Sequence, residues 1–305
     1  MNEADCDDEP EGAVGERETD PRKVPVHYSA LRQMARSAAH CKHAMTAPWG
    51  GGSLAMRMGT AGHAATFEPH KLVTYLPGIF TDKKGKTRPH GDRRDGEAWE
   101  QFKAKPENVG KVIVNRRERA VAEAIASALR NDPLAAPLLF GPSVVLEQEI
   151  LWAVDGRECS SRPDARKRGV HVTELKVVRT GEPEPFLRTA IRSGHHGQVR
   201  FYDRADAYET GRPFDDPPID LWVVAVESAP PYVVTTYKLD DTAKIAADRD
   251  IHTWWSKLMA CEAINFYPGY SQSPWPFEVN DGISDLSDPP DLGGDDDNET
   301  IDWSA

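Results

Sequence analysis

Apolar residues in the first half of the chain recur every three to four positions, which is the period of a helix. Segment 26–45 is predicted to be one helix with Ser29 at its N-cap, and segment 54–69 a second helix that ends at a proline. Asn115 precedes a third periodic segment, 116–132, and is predicted to cap it. The N-terminal part is therefore predicted to be mainly helical.

From residue 144 the apolar period changes from 3.6 to 2, which indicates strands. Two such segments flank the turn pair Asp155-Gly156 and are predicted to form a β-hairpin. Further strands are predicted over 169–178, 219–228 and 232–239, and helices over 194–211 and 241–264. This order predicts an α/β fold with a central mixed sheet flanked by helices, and with the helical N-terminal part packed on it.

The charge is distributed unevenly along the 305 residues, whose formal net charge is −12. Residues 1–22 hold nine acidic and two basic residues, and residues 278–305 hold ten acidic residues and no lysine or arginine. Both ends are poor in large apolar residues and are predicted to be disordered acidic tails. Residues 23–277 are predicted to be the folded domain, and their net charge of about +5 permits a polyanionic ligand.

The cysteines and the hydropathy exclude several classes of protein. The four cysteines are scattered without a Cys-x-x-Cys pair, so no disulfide framework, zinc ribbon or iron–sulfur cluster is predicted. No apolar run approaches the roughly 20 residues of a membrane helix, and the acidic N-terminus differs from a secretory signal. We expect a cytoplasmic protein without a membrane partner.

Acidic residues and one lysine gather at the predicted hairpin and at the strand that follows it. Alternate side chains of a strand share a face about 6.6–6.8 Å apart, so Glu174 and Lys176 project together. Asp164 ends the preceding strand, where a short connection brings it beside Glu174. Glu147 and Glu149 share another predicted strand face, and either one is able to reach the same cluster.

Carboxylates crowded in this way favour a hard divalent cation, because the cation relieves their mutual repulsion. Mg²⁺ takes oxygen ligands and keeps several waters, which fits Asp164, Glu174 and the carbonyl of Leu175. A lysine beside the metal would orient or deprotonate an attacking water. Taken singly, Glu-x-Lys is typical of a solvated strand face and Pro-Asp of a turn, and only their order on adjacent strands favours a site that hydrolyses a phosphodiester.

These residues resemble a known family. Pro163-Asp164 followed by Glu174-Leu175-Lys176 resembles the PD-(D/E)xK nuclease motif, and Gln198 with Tyr202 is similar to the Gln-x-x-x-Tyr element of the RecB-type and phage-exonuclease branch. Segments 27–40 and 56–69 resemble the N-terminal signature of the exodeoxyribonuclease VIII (RecE-like) family. The likeness extends over about residues 24–270 and implies a restriction-endonuclease-like core.

The resemblance also implies roles for individual residues. The implied metal ligands are Asp164, Glu174, the Leu175 carbonyl, His63 and Glu147, with Glu149 as the alternative to Glu147. Lys176 would be the catalytic lysine, and Gln198 and Tyr202 would support the active site and the nearby DNA strand. Glu174 departs from the pattern of this branch, whose members often have aspartate there.

Further residues are candidates for contacts to DNA. Ser29, Arg36 and Ser37 lie near a predicted helix start and are candidates for binding a terminal 5′-phosphate. Arg93 and Arg94, in a basic loop, and Arg162, beside the motif, are candidates for contacts to the DNA backbone, although a solvated loop has the same composition.

The function expected from the resemblance is a Mg²⁺-dependent deoxyribonuclease, with Mn²⁺ as a possible substitute. It implies a 5′→3′ exonuclease that acts on double-stranded DNA ends and leaves 3′ single strands for annealing recombination. The resemblance further implies a ring-shaped homo-oligomer, a single-strand annealing protein as partner, and a bacterial or phage origin. The alternatives are a structure-specific or Cas4-like nuclease and a DNA-end-binding protein without catalysis, and the missing iron–sulfur cysteines argue against Cas4 proper.

Overall fold

A computed structural model describes residues 18–47, 54–75, 79–81, 87–89, 97–214 and 216–271. Most of both predicted acidic tails and the basic loop with Arg93 and Arg94 therefore lie outside the described residues. In the described part of the chain, no helix combines the length and the apolar composition of a membrane span.

The described helices are α1 (Tyr28–Leu31), α2 (Ala38–Thr46), α3 (Leu54–Phe67), α4 (Glu97–Ala104), α5 (Arg116–Asn131), α6 (Ala135–Phe140), α7 (Pro183–Arg192), α8 (His195–Thr210) and α9 (Asp241–Ile264). The described strands are β1 (Leu72–Thr74), β2 (Ile79–Thr81), β3 (Thr87–Pro89), β4 (Val112–Val114), β5 (Val145–Leu146), β6 (Ile150–Val154), β7 (Arg157–Ser161), β8 (Ala165–Lys167), β9 (His171–Val178), β10 (Asp220–Glu227) and β11 (Val234–Lys238).

A five-stranded mixed sheet with the order β11-β10-β9-β8-β5 forms the centre of the molecule. Strands β9 and β10 are parallel, while the other neighbours in this sheet are antiparallel. Helices α7 and α8 supply the crossover between the parallel pair, as a parallel connection requires. The predicted α/β fold with a central mixed sheet is confirmed.

Apolar side chains on both faces of the sheet join it to the flanking helices. On one face, Leu175 and Val224 pack with Ile125 and Leu129 of α5. On the other face, the residues of β9 and β10 pack with α7 and α8. The N-terminal helices α1 and α2 pack against α8, α9 and the β6–β7 hairpin, so the predicted packing of the helical N-terminal part on the core is also confirmed.

The predicted hairpin consists of two separate pairings. Strands β6 and β7 pair around the turn Asp155-Gly156. The φ angles of 51° and 77° at these two residues are those of a type I′ hairpin turn. Strands β5 and β8, which flank β6 and β7 in the sequence, pair with each other within the central sheet. Glu147 lies between β5 and β6 with φ 50°, and this left-handed residue interrupts the ladder. The prediction that Glu147 and Glu149 share a strand face is therefore wrong.

The predicted helix over 26–45 is interrupted. Helix α1 passes into a 3₁₀ turn over Arg32–Ala35, and α2 starts again after Ser37. Ser37 is extended, and its hydroxyl accepts a hydrogen bond from the backbone N–H of His40, so Ser37 is the N-cap of α2. Ser29 lies inside α1 and is not an N-cap, which corrects that prediction. The hydroxyl of Ser37 competes with the helical backbone for the N–H of His40, and the first helical segment therefore ends before Ser37.

Helix α3 crosses both β9 and α5, and a glycine permits the close approach. A Cβ atom on Gly62 would lie 2.8 Å from Cγ2 of Val177 and 3.6 Å from Ile125. A Cβ atom on Gly59, one turn earlier, would meet nothing within 4 Å. The two glycines of the same helix therefore differ only in the space beside them.

We expect Gly62→Ala to lower the free energy of unfolding by about 1–3 kcal/mol, the usual cost of overpacking. Gly59→Ala should instead raise it by up to about 1 kcal/mol, since alanine is the better helix former. Urea denaturation of both variants measures the two values. Equal effects at the two positions would contradict the proposed close contact.

Candidate metal centre

Two buried carboxylates lie side by side at the centre of the sheet. Ala165 pairs with Thr173 in the antiparallel β8–β9 ladder, so Asp164, the residue before β8, lies opposite Glu174. Oδ2 of Asp164 accepts a hydrogen bond of 2.7 Å from the backbone N–H of Leu175. Both acidic side chains are buried. The sequence prediction that a short connection brings these two residues together agrees with this geometry.

Lys176 lies on the same face of β9 as Glu174 and is held by two oxygen atoms. Its Nζ lies 2.7 Å from Oε1 of Glu174 and donates at 3.1 Å to Oε1 of Gln198. The side-chain amide of Gln198 donates to Oε1 of Glu174 at 2.8 Å and to the hydroxyl of Tyr202 at 3.0 Å. The Lys176 side chain is 21 % exposed, so it is oriented and still within reach of a substrate.

His63, from α3, reaches the same centre from the other side. Its Nδ1 lies 3.5 Å from Oδ1 of Asp164 and 3.8 Å from Oε1 of Glu147, and its Nε2 lies 3.0 Å from the carbonyl oxygen of Leu175. His63, Glu147 and Asp164 each contribute one potential metal-ligand atom, and these three atoms lie within 4.8 Å of one another. The left-handed turn at Glu147 directs its carboxylate into this group.

Burial and mutual repulsion control the protonation of this group. Burial, and next the charge of Glu174, raise the pKa of Asp164 to about 7. Burial disfavours the charged form of His63, but the carboxylates of Asp164, Glu147 and Glu174 outweigh it and raise the pKa of His63 to about 9. Burial also raises the pKa of Tyr202 well above its usual value, so its hydroxyl keeps the proton.

The donor set fits a divalent cation. Oε2 of Glu174 is buried and has no hydrogen-bond partner among the described residues, which leaves a carboxylate oxygen available as a ligand. Asp164, Glu147 and His63 surround one space, and Glu174 lies near enough to raise the pKa of Asp164, so a cation there would relieve the repulsion between the carboxylates. Carboxylate oxygens are the ligands that Mg²⁺ and Mn²⁺ prefer.

Arg162 offsets part of this negative charge at the rim of the centre. Its Nε lies 2.9 Å from Oε2 of Glu147 and donates at 3.0 Å to the backbone carbonyl of the same residue. Its terminal nitrogen lies 3.5 Å from Oε2 of Glu68. Sequence reasoning did not find Glu68, and its place at the end of α3, five residues after His63, was the only signal for it.

Other predicted residues lie outside the centre. Ser29 and Arg36 are exposed near the N-terminal helices, and the Ser37 hydroxyl is already engaged as a cap and lies 2.7 Å from Nδ1 of His40. Glu149 is exposed and accepts a hydrogen bond from Ser160, so Glu147 is the glutamate that reaches the centre. Contacts of Ser29, Arg36, Ser37, Arg93 and Arg94 with DNA stay predictions.

No family model matches the sequence, and no curated protein matches it. Among solved structures, a candidate exonuclease from Eubacterium rectale matches 88 % of this chain and 95 % of its own, at 12 % identity and a TM-score of 0.55. The alkaline exonuclease LHK-Exo from Laribacter hongkongensis matches 56 % of this chain and 84 % of its own, at 15 % identity and a TM-score of 0.28. The first likeness shows a shared fold over most of both chains.

Proposed function

We propose that the chain is a metal-dependent deoxyribonuclease. The observation that carries the proposal is the convergence of Asp164, at the start of β8, with Glu174 and Lys176 of the adjacent β9, and with Gln198 and His63 in contact with them. Two buried acids and an accessible ammonium group are what hydrolysis of a phosphodiester at a divalent cation requires. The shared fold with a candidate exonuclease supports the same class of activity.

Asp164, Glu174 and the Leu175 carbonyl would hold Mg²⁺ or Mn²⁺, with His63 and Glu147 as further donors. The carbonyl oxygen of Leu175 lies 3.0 Å from Nε2 of His63, so these two donors face the same space. A bound divalent cation would supply charge stabilisation to the scissile phosphate and lower the pKa of a coordinated water.

Lys176 would orient the attacking water, and its ammonium group would stabilise the charge that develops on the phosphate. Only the neutral amine would be able to accept the proton of the water. Gln198 fixes Nζ of Lys176 and donates to Glu174 at the same time, so it keeps the lysine and the metal ligand in one geometry. Tyr202 holds the Gln198 amide in place from the next turn of α8. Arg162, which pairs with Glu147 at the rim, would contact a backbone phosphate.

Within this class, a 5′→3′ exonuclease on double-stranded DNA ends is the activity that the sequence resemblance favours. A ring-shaped homo-oligomer and a single-strand annealing partner belong to the same proposal. A structure-specific nuclease is the second candidate, since the same metal centre could serve it. A non-catalytic end-binding protein would not need two buried carboxylates beside Lys176.

The test uses linear duplex DNA labelled at either end, with and without a 5′-phosphate, and a covalently closed circle. We expect Mg²⁺ or Mn²⁺ to support stepwise loss of the 5′ label from the linear duplex and to leave the circle intact. EDTA should stop the reaction. Digestion of the circle would favour the structure-specific nuclease, and binding of ends without any cleavage in either metal would favour the end-binding protein.

A further inference from the structure

One stripe of α8 carries three polar side chains, Gln198, Tyr202 and Asp206, spaced by four residues. The first two contact the candidate metal centre. Asp206 follows Gln198 by eight residues and therefore lies roughly 12 Å from it along the helix axis, at 1.5 Å per residue. It does not belong to the centre. Its exposed fraction is 0 %, so its carboxylate needs partners within the protein.

The partners of Asp206 come from β8, the strand that directly follows Asp164, and from the turn after β8. Oδ1 of Asp206 accepts from Arg166 at 3.0 Å, and Oδ2 accepts from the backbone N–H of Gly169 at 3.0 Å. Arg166 is on β8, two residues after Asp164, and is 1 % exposed. Its hydrogen bond to Asp206 directs Arg166 toward α8, the helix that carries Gln198.

Arg166 also reaches the edge of the sheet and the end of α8. It pairs with Glu209 and donates at 3.1 Å to Oε1 of Gln148. Arg168 donates to the same oxygen of Gln148 at 3.1 Å and lies 3.4 Å from Glu209. We call Arg166, Asp206 and Glu209 the Arg166 clamp. The clamp joins β8 and the β8–β9 turn to α8.

Which elements these contacts connect matters more than their contribution to the free energy of unfolding. A buried ion pair is weak evidence for stability, because desolvation offsets the attraction, but its hydrogen bonds fix a register. The backbone hydrogen bonds between β8 and β9 fix the register of these two strands. The Arg166 clamp fixes the position of α8 relative to the pair of strands. If α8 slid by one residue, Gln198 would move by about 1.5 Å relative to Glu174, and displacements of that size impair catalysis.

We propose that Arg166 and Asp206 are positioning residues that hold Gln198 in register with Glu174 and Lys176. They act through α8 and β8 and do not touch the reacting atoms. The inference rests on the proposed nuclease function, because the geometry that the clamp holds is that of the metal centre.

A matched control lies on the same helix. Asp203 is also 0 % exposed and is held by two arginines, Arg200 and Arg212, but neither of these belongs to β8 or β9. Asp206→Asn and Asp203→Asn therefore make the same chemical change at two buried ion pairs of α8. Only the first one loosens the connection to the strands of the metal centre.

The experiment compares the two variants with the wild type by steady-state cleavage of linear duplex DNA, by calorimetric titration with Mn²⁺ in the absence of DNA, and by thermal unfolding. We expect Asp206→Asn to lower kcat and weaken Mn²⁺ binding by about 10- to 100-fold each, the usual effect of losing support for metal ligands, with little change in KM. Asp203→Asn should lower the melting temperature and keep kcat and Mn²⁺ affinity near the wild-type values.

Equal losses of kcat in the two variants, or an unchanged kcat and Mn²⁺ affinity in Asp206→Asn, would overturn the positioning role. If Asp206→Asn does not fold, Glu209→Gln decides in the same assays, because Glu209 is 29 % exposed at the outer end of the clamp. The control for this variant is Asp248→Asn. Asp248 pairs with Arg200 and Arg204, and its side chain is 37 % exposed. A wild type that neither cleaves DNA nor binds Mn²⁺ would instead refute the proposed function itself.

Discussion

Lys176→Ala is expected to stop DNA hydrolysis while binding of DNA and of the metal continues. The ammonium group bonds to Glu174 and Gln198, and the Lys176 side chain is 21 % exposed, so the group is both oriented and within reach of a substrate. Loss of a positioned acid–base group lowers the rate by about 10²–10⁴-fold. The aspartate and glutamate ligands stay in place in this variant, so the metal should still bind.

Single-turnover cleavage of labelled linear duplex, with enzyme in excess, measures this loss directly. Lys238→Ala is the matched control, because Lys238 is on β11 of the same sheet and pairs with Asp220 at the exposed edge. We expect the control to cleave at the wild-type rate. Wild-type cleavage by Lys176→Ala would refute the proposed mechanism, and weakened metal binding would show that the lysine mainly organises Glu174.

Asp164→Asn is expected to lose metal-dependent activity and yet to be at least as stable as the wild type without metal. The buried carboxylate faces Glu174 and Glu147, and burial together with these charges raises its pKa to about 7. Asparagine removes that repulsion and its oxygen is still able to accept from Leu175 N–H. The cation loses a charged ligand, and charge stabilisation worth several kcal/mol corresponds to roughly 10²–10⁴-fold in rate.

Thermal unfolding with and without Mg²⁺ separates the two effects, and cleavage rates complete the test. Mg²⁺ should raise the melting temperature of the wild type and leave that of Asp164→Asn unchanged, since a ligand stabilises only the state that binds it. Asp220→Asn, at the exposed end of β10, is the control and should behave as the wild type. A variant that is still stabilised by Mg²⁺ would exclude Asp164 as a ligand.

The parts of the fold with strong local signals could be predicted from the sequence. Asn115 caps α5 with Glu118 in a capping box, Gly211 ends α8 with φ 72°, and a segment rich in β-branched residues over 171–178 forms β9. Asp164 and Glu174 are ten residues apart and flank a short turn between neighbouring strands, so their proximity could be expected from the chain order, and the β8–β9 register places them opposite each other.

The features that were missed depend on distant contacts or on weak local patterns. Helices α6 and α7 are short, at six and ten residues, and both contain proline near their start, which a sequence pattern marks as a break. Glu147 leaves the strand through a left-handed φ angle that its residue type does not indicate. Arg166 and Asp206 are 40 residues apart in the chain, and only the packing of α8 on β8 brings them together.

The division of the hairpin into β5–β8 and β6–β7 suggests where the protein tolerates a reporter group. The turn Asp155-Gly156 is exposed and lies at the far end of β6 and β7, while Asp164 stays anchored by the β8–β9 ladder. Exposed turn tips of this kind accept inserted residues well. A short peptide tag for dye attachment at this turn would let single molecules be followed on DNA with the chemistry of the centre untouched.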